Sequence, residues 1–301
     1  MTGYVFSSTG WRGLVVAIET GRKLFGASGA SGRLASAAAI FRLRERHQPS
    51  FHREVVLVVS DRMQSMAVVN TRIFLIRHGA TMLSAEDRFA GATDVPLSDE
   101  GRDQVSRLAE RLSREKVAAV YASPLERTVE TASLLAKPHD LPVVTREGLR
   151  EISHGHWEQL TRREVDERFP SESAAWEADP YTYAPPGGES GLAVTARALP
   201  ALLEIVRAHP GAQVIVASHK ATIRLLLSSL LGFDPRRYRD TLDQNPAALN
   251  IIDFKDSVRA RLTLFNDTSH YATAGLAIPA VPTARLSKWW HSPQPPVAGG
   301  M

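Results

Sequence analysis

Short runs of consecutive apolar residues alternate along residues 71–270 with longer segments whose apolar positions recur every three or four residues. Residues 72–77, 117–122 and 214–217 are brief, rich in β-branched residues, and read as strands buried on both faces. Between them, Val105, Leu108, Ala109 and Leu112 keep the spacing of one helix face. Ser98, followed by Asp99 and Glu100, supplies a start signal, which predicts a helix over 98–116. Further helices are predicted over 125–136, over 192–208 with an interruption near Pro200, and over 221–231, where Gly232 stops the run. Residues 142–144 read as a short edge strand, and 249–254 and 259–265 as two late strands. Strands alternating with helices predict an α/β fold whose sheet is mostly parallel and covered on both faces.

The two ends read differently. Residues 26–32 are glycine, alanine and serine, and residues 34–46 are rich in Ala and Arg with few acids. A targeting peptide has this composition. The plainer expectation for residues 1–70 is a poorly ordered extension, or translation from an upstream start, since Met63 and Met66 lie just ahead of the first strand. Residues 271–301 carry Trp289-Trp290 and a proline-rich stretch, and are expected to be a flexible tail.

Composition narrows the chemistry. The 301 residues contain no cysteine, so disulfides, thiol nucleophiles and thiolate metal sites are excluded. That fits a reducing compartment, and a cytoplasmic location is expected. The formal charge of +4 is not gathered into a block, so no nucleic-acid partner is expected. No apolar stretch approaches the roughly 20 residues that span a bilayer, so no membrane partner is expected either.

Strand tips carry the candidate chemistry: Arg77-His78-Gly79, Ser123-Pro124-Leu125-Glu126-Arg127 and Ser218-His219. If those strands are neighbours, two arginines and two histidines converge at the carboxyl edge of the sheet, where α/β folds bind ligands. A neutral imidazole can act as a nucleophile, and arginine matches phosphate oxygens in bidentate fashion. Protonated, the second histidine would add another charged donor. Free amides at the start of the helix after His219 would attract an anion.

These motifs, with Leu75 to Thr81, Pro96 to Gly101, Tyr121 to Thr128, Leu149-Arg150-Glu151, Gly187 to Ser190 and Ala217-Ser218-His219, resemble in order and content the histidine phosphatase superfamily. That group contains cofactor-dependent phosphoglycerate mutases and broad phosphomonoesterases. The resemblance implies a phosphoglycerate mutase-like three-layer sandwich over residues 71–270, with no metal and no cofactor. It makes His78 the nucleophile, forming phosphohistidine, and Arg77, Arg127 and His219 the phosphoryl ligands. Glu151 becomes the acid/base, in surroundings that favour its neutral form. Ala80 replaces a common acid, Ser84 stands where many members have asparagine, and Lys220 stands where glycine is common. Ser84 is carried over as a phosphate donor.

Lys220, Trp157 and Glu189 are kept as substrate or lid residues, with Trp157 expected beneath the site and Glu189 supporting it. His154 and His156 are expected at the rim. Arg162, Arg163 and Arg224 are candidate contacts, and residues 169–186 a candidate lid. The stretch from Glu151 to Glu189 is short, as in the phosphatase branch. The expected activity is hydrolysis of a small phosphorylated metabolite, with a mutase or an inactive scaffold as alternatives. Homo-oligomerisation is left open.

Overall fold

The computed structural model describes residues 70–82 and 88–271. The expectations for the N-terminal extension, for the C-terminal tail beyond Tyr271 and for Ser84 lie outside the described residues. The strands are β1 (Thr71–Arg77), β2 (Val117–Ala122), β3 (Val143–Thr145), β4 (Gln213–Ser218), β5 (Leu249–Phe254) and β6 (Ala260–Asp267). They form one six-stranded sheet in the order β3-β2-β4-β1-β5-β6. β3, β2, β4 and β1 are parallel, while β5 and β6 are antiparallel. The turn between the last two strands is too short for a crossover, so they can only form a hairpin.

Seven helices are described: α1 (Asp99–Leu112), α2 (Glu126–Ala136), α3 (Arg162–Arg168), α4 (Pro170–Ala178), α5 (Gly191–Ala208), α6 (Lys220–Leu231) and α7 (Tyr238–Thr241). The period-two alternation of the strands divides their side chains between two cores. Phe74, Ile76, Ile215 and Ala217 pack with Val105, Leu108 and Leu135 from α1 and α2. Ile73, Leu75, Val214 and Val216 pack with Leu202, Ile205 and Leu226 from α5 and α6. Each large aliphatic side chain so buried contributes roughly 1.5–3 kcal/mol. Helix pairs on both faces make the three layers.

Ser98 caps α1 through its hydroxyl, which accepts from Gly101 N at 3.1 Å. Pro200 does not interrupt α5, which is continuous. Pro200 faces solvent, where water can satisfy the carbonyl left without a partner, and the buried Val194, Ala198, Leu202 and Ile205 hold the helix to the sheet. α4 falls within residues 169–186, the segment read only as a lid, and α3 directly precedes it. Thr161 and Glu164 form a reciprocal capping box at the start of α3. No described helix is long and apolar enough to cross a membrane.

Candidate active site

β1, β4 and β2 lie side by side and point the same way, so their carboxyl ends open at one edge. Arg77 stands level with Ser218, and Ala122 with Ala217. The structure therefore brings together His78, Arg77, Arg127, His219 and Ser123. Gly79 lets the chain leave β1 against α1: a Cβ there would meet Gly101 O at 2.5 Å.

His78 is buried, and its ring lies with Nδ1 2.7 Å from Gly79 O. A carbonyl can only accept, so this contact assigns the proton to Nδ1 and leaves the lone pair on Nε2. Burial, then the charges of Arg77 and Arg127, hold its pKa well below the ordinary histidine value. The imidazole is thus neutral and nucleophilic at neutral pH.

His219 is fully buried, its ring centroid 5.3 Å from that of His78. Arg127 Nε donates to its Nδ1 at 3.3 Å. Nε2 must then carry the proton, which it gives to Ser123 Oγ at 2.7 Å. Burial, with Arg127, His78 and Arg77 nearby, holds the His219 pKa well below its ordinary value. Burial first, and then the surrounding cations, favour the neutral form of His219 over the protonated one. Arg127 is also buried, and donates from Nη1 to Thr93 O and from Nη2 to Gly91 O, both at 2.8 Å. Arg77 Nη1 donates to Gln244 O at 2.6 Å, while its Nε is buried with no partner among the described residues. Burial and the adjacent Arg224 lower the Arg77 pKa to about 10, so it stays cationic at neutral pH.

Glu151 sits across the start of α6. Its carboxylate accepts from the backbone N–H of Ala221 and Thr222 at 3.1 Å and of Ile152 at 3.0 Å. Thr222 Oγ1 also lies 3.1 Å from Glu151 Oε1, and the two α6 amides belong to the positive end of a helix. Glu158 has a different job. It accepts from Ala92 N, Thr93 Oγ1, Ser153 Oγ and His154 N, tying the loop that holds Arg127 to the segment that carries Glu151.

Glu189 does not reach Arg77 or Arg127. It pairs in bidentate fashion with Arg197 of α5, at 2.8 Å for both bonds. Arg197 also donates to the carbonyls of Gly148, Arg150 and Glu151 at 2.8–2.9 Å. Sequence reasoning missed Arg197, because nothing in a helical arginine announces which carbonyls it will meet. Trp157 is fully buried against Val165 and Trp176, with Nε1 donating to Glu172 at 3.0 Å. It packs under α4 and presents no face to a substrate.

His154 packs its ring on Phe89 at 4.7 Å, and His156 stacks on Phe169 at 4.5 Å and bonds Glu172. Burial lowers the His154 pKa to about 4. Lys220 opens α6, 4.0 Å from Asp243, which also pairs with Arg224 at 2.9 Å. Arg162 pairs with Glu177, which also receives Arg239, while Arg163 is an exposed partner of Glu167. Among the described residues, no cluster of His, Asp and Glu is arranged to hold a metal ion.

A strand-tip histidine with a free Nε2, two arginines and a second histidine gather at the carboxyl edge of a phosphoglycerate mutase-like fold. The sequence pattern of the histidine phosphatase superfamily (branch 1) matches residues 73–268, and the chain belongs to that family. It is 34% identical over 167 residues to phosphoserine phosphatase 1 of Hydrogenobacter thermophilus, covering 56% of this chain and 79% of that protein. It is 35% identical over 168 residues to glucosyl-3-phosphoglycerate phosphatase of Mycolicibacterium vanbaalenii, covering 54% of this chain and 74% of the relative. The solved structure of mycobacterial glucosyl-3-phosphoglycerate phosphatase superposes with a TM-score of 0.60 at 30% identity, covering 65% of this chain and 99% of that one. Bacillus stearothermophilus YhfR superposes with a TM-score of 0.63 at 31% identity, over 66% of this chain and 98% of that one.

Proposed function

We propose that this protein is a phosphatase that hydrolyses a phosphate monoester of a small metabolite through a phosphohistidine on His78. One observation carries the reading. The bond to Gly79 O points the lone pair of Nε2 out of the His78 ring, beside Arg77, Arg127 and His219. Nε2 attacks phosphorus, the P–O ester bond breaks, and the leaving alkoxide takes a proton from Glu151. Water then attacks the phosphohistidine, returns that proton to Glu151, and frees inorganic phosphate and Nε2. Arg77 and Arg127 stabilise charge on the transferring oxygens. Glu151 takes its first proton from the incoming monoanionic ester. The relatives named as phosphatases of phosphoserine and of glucosyl-3-phosphoglycerate support hydrolysis over mutation.

The test is turnover of p-nitrophenyl phosphate in the presence of a chelator. Wild type is expected to release phosphate and to form an acid-labile phosphoenzyme, and His78→Ala to do neither. Turnover that survives His78→Ala would refute the mechanism. Supplying 3-phosphoglycerate with its bisphosphate primer separates the mutase alternative, which predicts isomerisation faster than release of phosphate.

A further inference from the structure

Gln244 and Asn250 bury two primary amides against each other, at 1% and 0% exposure. Gln244 Nε2 donates to Asn250 Oδ1 and Asn250 Nδ2 donates to Gln244 Oε1, both at 2.9 Å, which closes a reciprocal pair. The second hydrogen of Asn250 Nδ2 goes to Leu75 O at 3.0 Å, and Oδ1 also accepts from Asn266 N at 2.9 Å. Every donor and acceptor of the Asn250 side chain is used. Asn250 stands opposite Leu75 in the β1–β5 pairing, in a strand whose Leu249, Ile251, Ile252 and Phe254 feed both cores. An aliphatic residue there would avoid the desolvation of an amide. The pair therefore does something that a hydrocarbon would not.

What it does is hold the Gln244 backbone. Gln244 O accepts the 2.6 Å bond from Arg77 Nη1, and Gln244 N donates to Asp243, the partner of Arg224. The same loop meets the strand tip twice more: Arg77 N donates to Ala248 O and Ala247 N to His78 O. Arg224 lies beside Arg77, and two like charges in a buried setting push the guanidiniums apart. A fixed carbonyl on Nη1 sets the rotation of the Arg77 fork and leaves its Nε edge untied.

We propose that Gln244 and Asn250 are positioning residues for Arg77: their amide pair places the Gln244 carbonyl, which aims the guanidinium at the phosphoryl group. The inference rests on Arg77 being a phosphoryl ligand, as in the proposed function.

The orthovanadate Kd of Arg77→Ala against wild type tests that underlying reading alone: a large loss is expected, and an unchanged Kd would overturn it. The positioning role is tested with Asn250→Leu, Gln244→Met and the double variant. The readouts are the orthovanadate Kd, kcat/KM and Tm. Each single variant is expected to weaken vanadate by about tenfold, the order for misaligning one charge-assisted hydrogen bond. The double variant should lose no more than either single one. In an Arg77→Ala background, Asn250→Leu should change vanadate affinity by less than about twofold. A lowered Tm with unchanged vanadate Kd would overturn the proposal, as would a full tenfold loss in the Arg77→Ala background. Gln244→Asn shortens the arm without adding an apolar group. It serves as the test if the others do not fold, with the same two outcomes.

Discussion

Replacing Arg197 with methionine keeps most of the aliphatic stem and removes the guanidinium that holds the Glu151 segment. The side chains of Arg197 and Glu189 are 20% and 22% exposed, so the pair is largely buried. Removing one partner of a fully buried pair costs about 3–5 kcal/mol; partial exposure and solvent screening reduce this to about 2 kcal/mol. Freeing the carbonyls of Gly148, Arg150 and Glu151, which water can partly satisfy, adds about 1 kcal/mol. The expected loss is about 3 kcal/mol, or about 6–12 °C in Tm for a domain of this size. Catalysis should suffer separately. The Glu151 carbonyl is one of the three held, so its carboxylate loses its placement, and kcat should fall about 10- to 100-fold with a smaller change in KM.

The acid limb gives an internal check. Burial raises the Glu189 pKa, but the bonds from Arg197 and Ser153 outweigh it, and the net shift is downward. A carboxylate lowered on folding contributes stability above its unfolded value, about 4.3, and loses it as pH falls through the folded value. The gap in Tm between wild type and Arg197→Met should therefore shrink below about pH 4. Thermal unfolding across pH and p-nitrophenyl phosphate kinetics read both effects. A Tm within about 2 °C of wild type at pH 7, with unchanged kcat, would refute the reasoning.

Further outcomes are expected. Binding of inorganic phosphate should take up a proton near neutral pH, because His219, whose pKa burial and nearby cations lower, gains an anion beside it. Calorimetry in buffers of different ionisation enthalpy would show it, and binding independent of buffer would count against a titrating His219. Gly79→Ala should destabilise by about 2 kcal/mol or more, since its Cβ would press on the backbone of Gly101 at 2.5 Å; chemical denaturation measures this. Gln159 has a φ of 68°, a left-handed conformation that a side chain disfavours. Gln159→Gly should raise stability by about 1 kcal/mol, and an unchanged or lower Tm would argue against strain there.

Much of the site was legible because its motifs are local. Arg77-His78-Gly79 ends a strand whose apolar run is unmistakable, and Ser218-His219 ends another, so both could be placed at strand tips before their neighbours were known. Ser98 and Gly232 marked helix ends through cap chemistry that acts within one turn. Pro200 misled, since its penalty is local while the packing that overrides it is not. α3 and α4 were hidden among prolines and charges; their helical state rests on an apolar cluster of Trp157, Val165 and Trp176 assembled from separate segments.

By itself the sequence determined the strand and helix periods, the cap positions and the presence of two arginines and two histidines at strand ends. These follow from backbone sterics and from side-chain spacing, which are properties of neighbours in the chain. Only the tertiary structure decided which nitrogen of each histidine carries its proton, that Glu189 serves Arg197, and that Glu151 rests against the start of α6. Those outcomes depend on donors and acceptors that residues far apart in the chain bring within hydrogen-bond distance. Removal from water then gives those contacts their weight.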